Sequence, residues 1–80
     1  MSGRPVKRSV MIAGHRTSVS LEGPFWRALQ EMAAARNMTI ATLIQEIDAA
    51  RDTDTGLSGA LRVAVLEHFR AAADERQVGE

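Results

Sequence analysis

One short segment of alternating residues places the strongest limit on how this chain can fold. In residues 17–21, Thr17, Val19 and Leu21 fall on one side of an extended backbone and serines fall on the other, which predicts a half-buried β-strand. A single strand leaves backbone N–H and C=O groups unpaired, so it needs a partner strand. Either residues 9–13 fold back on it as a hairpin, or the same strand of a second copy pairs with it.

We expect the second arrangement, an intertwined homodimer with an antiparallel ribbon between subunits. A chain of 80 residues buries only about 60% of its unfolded surface, and without cysteine it gains nothing from disulfides, so a second subunit is the remaining source of stability. Upstream, Val10 and Ile12 also alternate with Ser9 and Met11, and residues 13–15 could form a turn. Whether Val10–Ala13 is a strand stays open at this point.

Three amphipathic helices follow the strand. Gly23-Pro24 ends the strand and begins the first helix, because proline suits the first helical position, and Asn37 favours that helix's end. Thr39 and Ser58 are N-cap candidates for the second and third helices. The sequence therefore predicts a mainly α fold with one short β-strand.

Charge is distributed unevenly along a chain whose formal net charge is zero. The residues up to Leu21 hold four cations and no acid, whereas the remainder holds six arginines and ten acids. A basic arm on an acidic body suggests a polyanionic partner for the arm. The alternative is that these charges only keep an exposed terminus solvated.

Several function classes find no support in the sequence. No apolar run approaches the ~18 residues of a membrane span, and no apolar segment follows the basic start as in a secretory signal, so we expect a cytoplasmic protein without a membrane partner. No motif of a phosphate loop, a zinc protease or a serine hydrolase occurs. We therefore expect neither an enzyme nor a bound metal or cofactor.

The strand, the two helices and the basic arm together resemble the ribbon-helix-helix family. The strings Gly14-His15-Arg16-Thr17-Ser18-Val19-Ser20-Leu21-Glu22, Phe25-Trp26, Ile47-Asp48 with Arg51, and Leu57-Ser58 with Leu61-Arg62 look like a short bacterial branch with an added third helix. The resemblance divides the chain into a basic arm (1–15, in which a short extended segment stays open), a ribbon-helix-helix core (16–51), a loop and third helix (52–73) and a polar tail (74–80).

The resemblance implies a homodimeric transcriptional regulator that places a β-ribbon in the major groove of double-stranded DNA. Strand parity leaves Arg16, Ser18 and Ser20 as the residues that contact bases. The family also holds a phosphate at the N-terminus of its second helix, and the expected phosphate contacts are Arg4, Lys7, Arg8, His15, Thr39 and Ile40. The expected dimer core is Val19, Leu21, Phe25, Trp26, Leu29, Leu43, Ile44 and Ile47.

Each of these assignments has a structural alternative. The alternative for Arg16 is a solvated strand residue that discourages edge aggregation, and the alternative for Thr39 is an ordinary helix cap. Trp26 fits a core or subunit interface as well as a partner anchor. The acidic body and third helix also favour a second hypothesis, a homodimeric protein-interaction module, antitoxin-like or regulator-binding, with little intrinsic DNA binding.

Overall fold

The computed structural model describes the backbone of residues 3–78 and the side chains of residues 3–75. Two strands precede three helices, in the order β1 (Val6–Ile12), β2 (His15–Leu21), α1 (Gly23–Ala35), α2 (Ile40–Ala50) and α3 (Leu57–Val78). The expected helices are present, but the chain has one strand more than predicted.

The two strands form a hairpin within the chain, and this corrects the expected origin of the ribbon. β1 and β2 pair antiparallel, with Val6 opposite Leu21 and Ile12 opposite His15. Ala13 and Gly14, with φ of 51° and 83°, make the two-residue turn. Positive φ at both central positions marks a type I′ turn, whose twist matches that of paired strands. The strand before α1 therefore finds its first partner in its own chain and not in a second copy.

The predicted alternation of β2 is confirmed by burial. Val19 and Leu21 are 1% and 0% exposed, whereas Arg16 and Ser18 are exposed. Val10 and Ile12 of β1 are buried on the same side, as the pairing of the strands requires. One face of the hairpin therefore packs on the helices and the other faces solvent.

The ends of α1 and α2 follow from local sequence. Asn37 adopts a left-handed φ of 56°, and its N–H donates to the Ala34 carbonyl while the Met38 N–H donates to the Ala33 carbonyl. This pair of bonds is the Schellman ending, which asparagine tolerates well. Thr39 caps α2 by accepting from the Thr42 N–H at 3.1 Å. The predicted end of α1 at Asn37 and the predicted N-cap of α2 at Thr39 are both confirmed.

The core lies between the inner face of the hairpin and the three helices. Its fully buried side chains of largest volume are Leu21, Leu29, Leu43, Ile44, Leu61 and Val19. Phe25, Trp26 and Ile47 are half-buried and pack against them. The residues expected in a dimer core thus already form the core of one chain.

The third helix is longer than predicted, and among its described side chains only some of those in its first half are buried in the core. α3 continues to Val78, past the expected end at residue 73, so residues 74–78 of the predicted polar tail are helical and residues 79–80 lie outside the described chain. Leu61 and Val65 are its only buried residues among those described. None of the helices within residues 3–78 is long and apolar enough to cross a membrane.

Candidate nucleic-acid interface

The solvent side of the hairpin, here called the outer face, gathers six side chains from both strands. Strand pairing sets Lys7 opposite Ser20, Ser9 opposite Ser18, and Met11 opposite Arg16. Directly opposed residues project to the same face of an antiparallel pair. The outer face therefore consists of Lys7, Ser9, Met11, Arg16, Ser18 and Ser20.

The outer face is positively charged. Lys7 and Arg16 lie on it near opposite ends of the hairpin, and neither strand contains an acidic residue. The first carboxylate after β2 belongs to Glu22, and it is held by Arg62 at 3.0 Å. A surface with exposed cations and short hydroxyl side chains suits a polyanion that also presents hydrogen-bonding edges.

The three residues predicted to contact bases share this face but differ in solvent exposure. Arg16 and Ser18 are exposed, whereas Ser20 is half-buried. The Ser20 N–H donates to the Ser58 Oγ at 3.1 Å, and its carbonyl accepts from the Arg62 Nη2 at 3.3 Å. Ser20 is therefore fixed against α3, while Arg16 and Ser18 project freely.

The cations of the basic arm that were predicted to contact phosphate differ in position: Lys7 lies on the outer face and Arg8 does not. Arg4 and Lys7 are exposed, and Lys7 lies on the outer face. Arg8 lies on the helix side, where its guanidinium carbon is 4.6 Å from the centre of the Trp26 ring. Arg8 is half-buried there, so it ties β1 to α1 instead of joining the exposed cations.

His15 does not share the outer face either. It is paired with Ile12, whose side chain is buried against the helices, and so it falls on the helix side of the hairpin. His15 nevertheless remains exposed because it directly follows the turn. It is placed at the tip of the hairpin, apart from Arg16 and Ser18.

The start of α2 is a well-formed cap. The Thr39 hydroxyl accepts from the Thr42 N–H and also lies 2.9 Å from the Thr42 hydroxyl. Ile40 begins the helix, where backbone N–H groups lack partners within the helix. The nearby Arg36 forms an exposed ion pair with Glu46 at 3.0 Å. The phosphate contact of Thr39 and Ile40 stays a prediction.

Two outer-face residues, Ser9 and Met11, were not singled out by sequence reasoning as contact residues. Met11 is 54% exposed and stands directly opposite Arg16. Part of the signal was present, because Val10 and Ile12 alternate with Ser9 and Met11, and Gly14 tolerates the positive φ of a type I′ turn. Ala13 weakened this signal, because alanine rarely adopts the positive φ that the turn also needs at its first central position. These features allow a hairpin in which β1 adds its residues to the outer face, without excluding pairing between two copies.

The strings that suggested an added helix are explained by contacts between α3 and the end of β2. Arg62 donates to both Glu22 carboxylate oxygens, at 3.0 and 3.3 Å, and Ser58 accepts from Ser20. The hydrogen bond from Arg62 holds the pKa of Glu22 below its ordinary value. Asp48 and Arg51 form a further ion pair at 2.7 Å, and Arg51 also donates to the Thr55 carbonyl. These bonds fasten α3 and the loop before it to the core.

The described residues offer no alternative site built on a metal. Among residues 3–78, no three His, Asp or Glu side chains are close enough to hold a metal ion.

Comparison with known proteins gives one family and one structural neighbour. Residues 5–69 match the family model described as "Ribbon-helix-helix domain", a span that includes β1 and the first half of α3. An uncharacterized protein from Bordetella pertussis Tohama I is similar in structure, with a TM-score of 0.75 and 29% sequence identity over 90% of this chain. The chain covers 61% of that protein's length. None of the curated proteins matches the chain.

Proposed function

The chain belongs to the ribbon-helix-helix domain family, and on that premise we propose that it is a homodimeric, sequence-specific DNA-binding protein that regulates transcription. The outer face of the hairpin is turned to the major groove, and the β2 strands of the two subunits form the two-stranded ribbon that the groove admits. Double-stranded DNA is its partner and the bacterial cytoplasm its place of action.

This proposal rests on the observation that the two faces of the hairpin differ in burial and in charge. On the inner face Val10, Ile12, Val19 and Leu21 are buried, and the one arginine of that face, Arg8, is held over the Trp26 ring. The outer face holds two cations and three serines with no acid, although the chain as a whole carries no net charge. Concentration of positive charge on the face that needs no burial supports contact with a polyanion.

Within this proposal the predicted contact residues divide into those that contact bases and those that contact phosphates. Arg16 donates two hydrogen bonds to guanine O6 and N7, and Ser18 and Ser20 accept or donate at neighbouring base edges. Lys7 and Arg4 attract phosphates without reading sequence. Thr39 and Ile40 hold one backbone phosphate at the start of α2. Arg8 is left out because it lies over Trp26 on the helix side.

The experiment that tests the proposal selects operator-length duplexes from a random pool with the purified protein and reads their sequences. A ribbon that reads bases enriches a short inverted repeat, because a two-fold dimer binds two equivalent half-sites. Duplex binding that is absent at about 50 mM salt, where electrostatic attraction is strong, would refute a DNA-binding function.

A second candidate function, a homodimeric protein-interaction module, is favoured by the apolar surface of α3. Val63, Leu66 and Phe69 are 51%, 54% and 43% exposed, and with Phe25 they line a shallow apolar groove. Exposed apolar patches of this kind mark interaction sites. Failure to enrich any DNA sequence, together with a protein partner lost in Leu66→Ser but retained in Glu67→Gln, would select this function over the first.

A further inference from the structure

The two edges of β2 have different environments. One edge pairs with β1 along its whole length. The N–H and C=O of Ser20 are bound instead by α3 residues, so they point away from β1. Backbone groups of alternate residues point to the same edge of a strand. The N–H and C=O of Ser18 and Arg16 therefore also point to this second edge, here called the free edge.

Helix α3 covers one end of the free edge. Ser58 accepts from the Ser20 N–H at 3.1 Å, and Arg62 donates to the Ser20 carbonyl at 3.3 Å. Glu22 holds Arg62 in place through two contacts of 3.0 and 3.3 Å. No residue of the described chain forms such bonds to the free-edge groups of Arg16 or Ser18. The free edge is thus capped at Ser20 and open at the two residues nearer the turn.

We propose that this α3 cap fixes the register in which a second copy of the chain pairs with β2. The inference rests on the proposed function only in assuming that the chain dimerises through its ribbon. A row of unpaired N–H and C=O groups is satisfied by an extended strand. A second copy offers the same open groups, and a two-fold axis satisfies both sets at once.

Several registers satisfy the alternation of inner and outer residues, and the cap decides which of them pairs the most free-edge residues. With the cap in place, Arg16 pairs with Ser18 of the second copy, and Thr17 faces its own equivalent across the two-fold axis. Without the cap, Ser18 faces its own equivalent, and Arg16 pairs with Ser20. The second register pairs more residues, but it needs the N–H and C=O of Ser20, which Ser58 and Arg62 already bind. It therefore forms only where the contacts between Ser20 and α3 are broken.

The first test measures the dimer dissociation constant by sedimentation equilibrium for the full chain and for Ser58→Ala. Loss of the Ser58 acceptor frees the Ser20 N–H for the second copy, so dimerisation tightens roughly five-fold for each hydrogen bond gained. The control Thr53→Ala removes an exposed hydroxyl from the loop before α3 and leaves the constant unchanged. An unchanged or weakened dimer in Ser58→Ala overturns the proposal.

The second test reads the register by disulfide formation, since the natural chain has no cysteine. Opposed residues have Cα atoms about 4.5–5.5 Å apart, within disulfide range, whereas residues two positions out of register exceed ~7 Å. Thr17→Cys therefore crosslinks the capped chain and Ser18→Cys does not. In the Ser58→Ala or Arg62→Gln background, crosslinking moves to Ser18→Cys.

The outcomes separate this proposal from the proposed function. Sequence-selective DNA binding with the same crosslink in all backgrounds overturns the cap and leaves the regulator intact. A chain that stays monomeric in every background and binds no DNA overturns both.

Discussion

Arg62 and Glu22, which are 40 positions apart in the sequence, meet in a two-point ion pair that joins α3 to the residue after β2. Both side chains are partly screened from solvent, with 34% and 25% of their surfaces exposed. The geometry matches the fork of a guanidinium to the two oxygens of a carboxylate. This pair explains why a helix outside the minimal ribbon-helix-helix core is fixed to the ribbon.

The ion pair predicts an acid-dependent loss of stability. The bond from Arg62 lowers the pKa of Glu22 below its ordinary value of 4.5, so the pair stabilises the fold above that pH and the contribution is lost as pH falls through the lowered pKa. Glu22→Gln lowers the melting temperature near neutral pH, and its difference from the natural chain shrinks below about pH 4.5. Circular dichroism melts across this range measure the effect.

The control for this prediction is Glu31→Gln, which removes an exposed carboxyl from α1. Glu31 makes no ion pair within the described residues, so its variant should melt like the natural chain at each pH. A difference between Glu22→Gln and the natural chain that persists unchanged at low pH would contradict the prediction.

Arg16→Ala is expected to relax sequence preference at one base pair per half-site. A bidentate arginine contact to guanine contributes about 1–3 kcal/mol of discrimination, and Arg16 is exposed, so folding should be unaffected. Competition binding with the selected operator and with single-base variants measures the change. Arg70→Ala, which removes an exposed cation from α3, serves as the matched control. An equal loss of affinity for every duplex would instead identify Arg16 as a phosphate contact.

Lys7→Ala and Arg8→Ala are expected to affect DNA binding differently, because the two side chains lie on opposite faces of β1. Lys7 lies on the outer face, so its loss weakens binding to all sequences and reduces the slope of log affinity against log salt by about 1 for each phosphate contact removed. Arg8 lies over Trp26, so its loss leaves the slope unchanged and alters the fluorescence of this single tryptophan. A salt slope that changes with Arg8 and not with Lys7 would reverse the assignment of faces.

Ala13→Asn is expected to stabilise the chain. Ala13 has a φ of 51°, and a left-handed conformation costs a residue with a Cβ about 1–2 kcal/mol. Asparagine tolerates this region better and favours type I′ turns, so the free energy of unfolding should rise by about 0.5–1 kcal/mol. Urea unfolding followed by Trp26 fluorescence measures it. Gly14→Val, at a φ of 83°, should destabilise, and no change in either variant would mean that the hairpin turn is not formed.

Much of the fold could be predicted because it depends on local patterns. The alternation ending at Leu21 identified the buried side of β2, and the residues Asn37 and Thr39 identified the end of α1 and the start of α2. Each of these features depends on only a few neighbouring residues. They are the alternation of side chains along a strand, the tolerance of asparagine for a left-handed φ, and the capping of a helix by a side chain. The core residues followed from the same periodicities.

The sequence by itself determined which residues point inward and where the helices α1 and α2 end and begin, because backbone geometry links these to the nearest neighbours in the chain. Only the tertiary structure decided that β1 partners β2, that Arg8 lies over Trp26 away from Lys7, and that Ser58 and Arg62 cover the edge of β2. The paired residues of β1 and β2 lie up to 15 positions apart, and the other contacts join residues 18 to 42 positions apart. The periodicity of a segment carries no information about which other segment of the chain satisfies its groups.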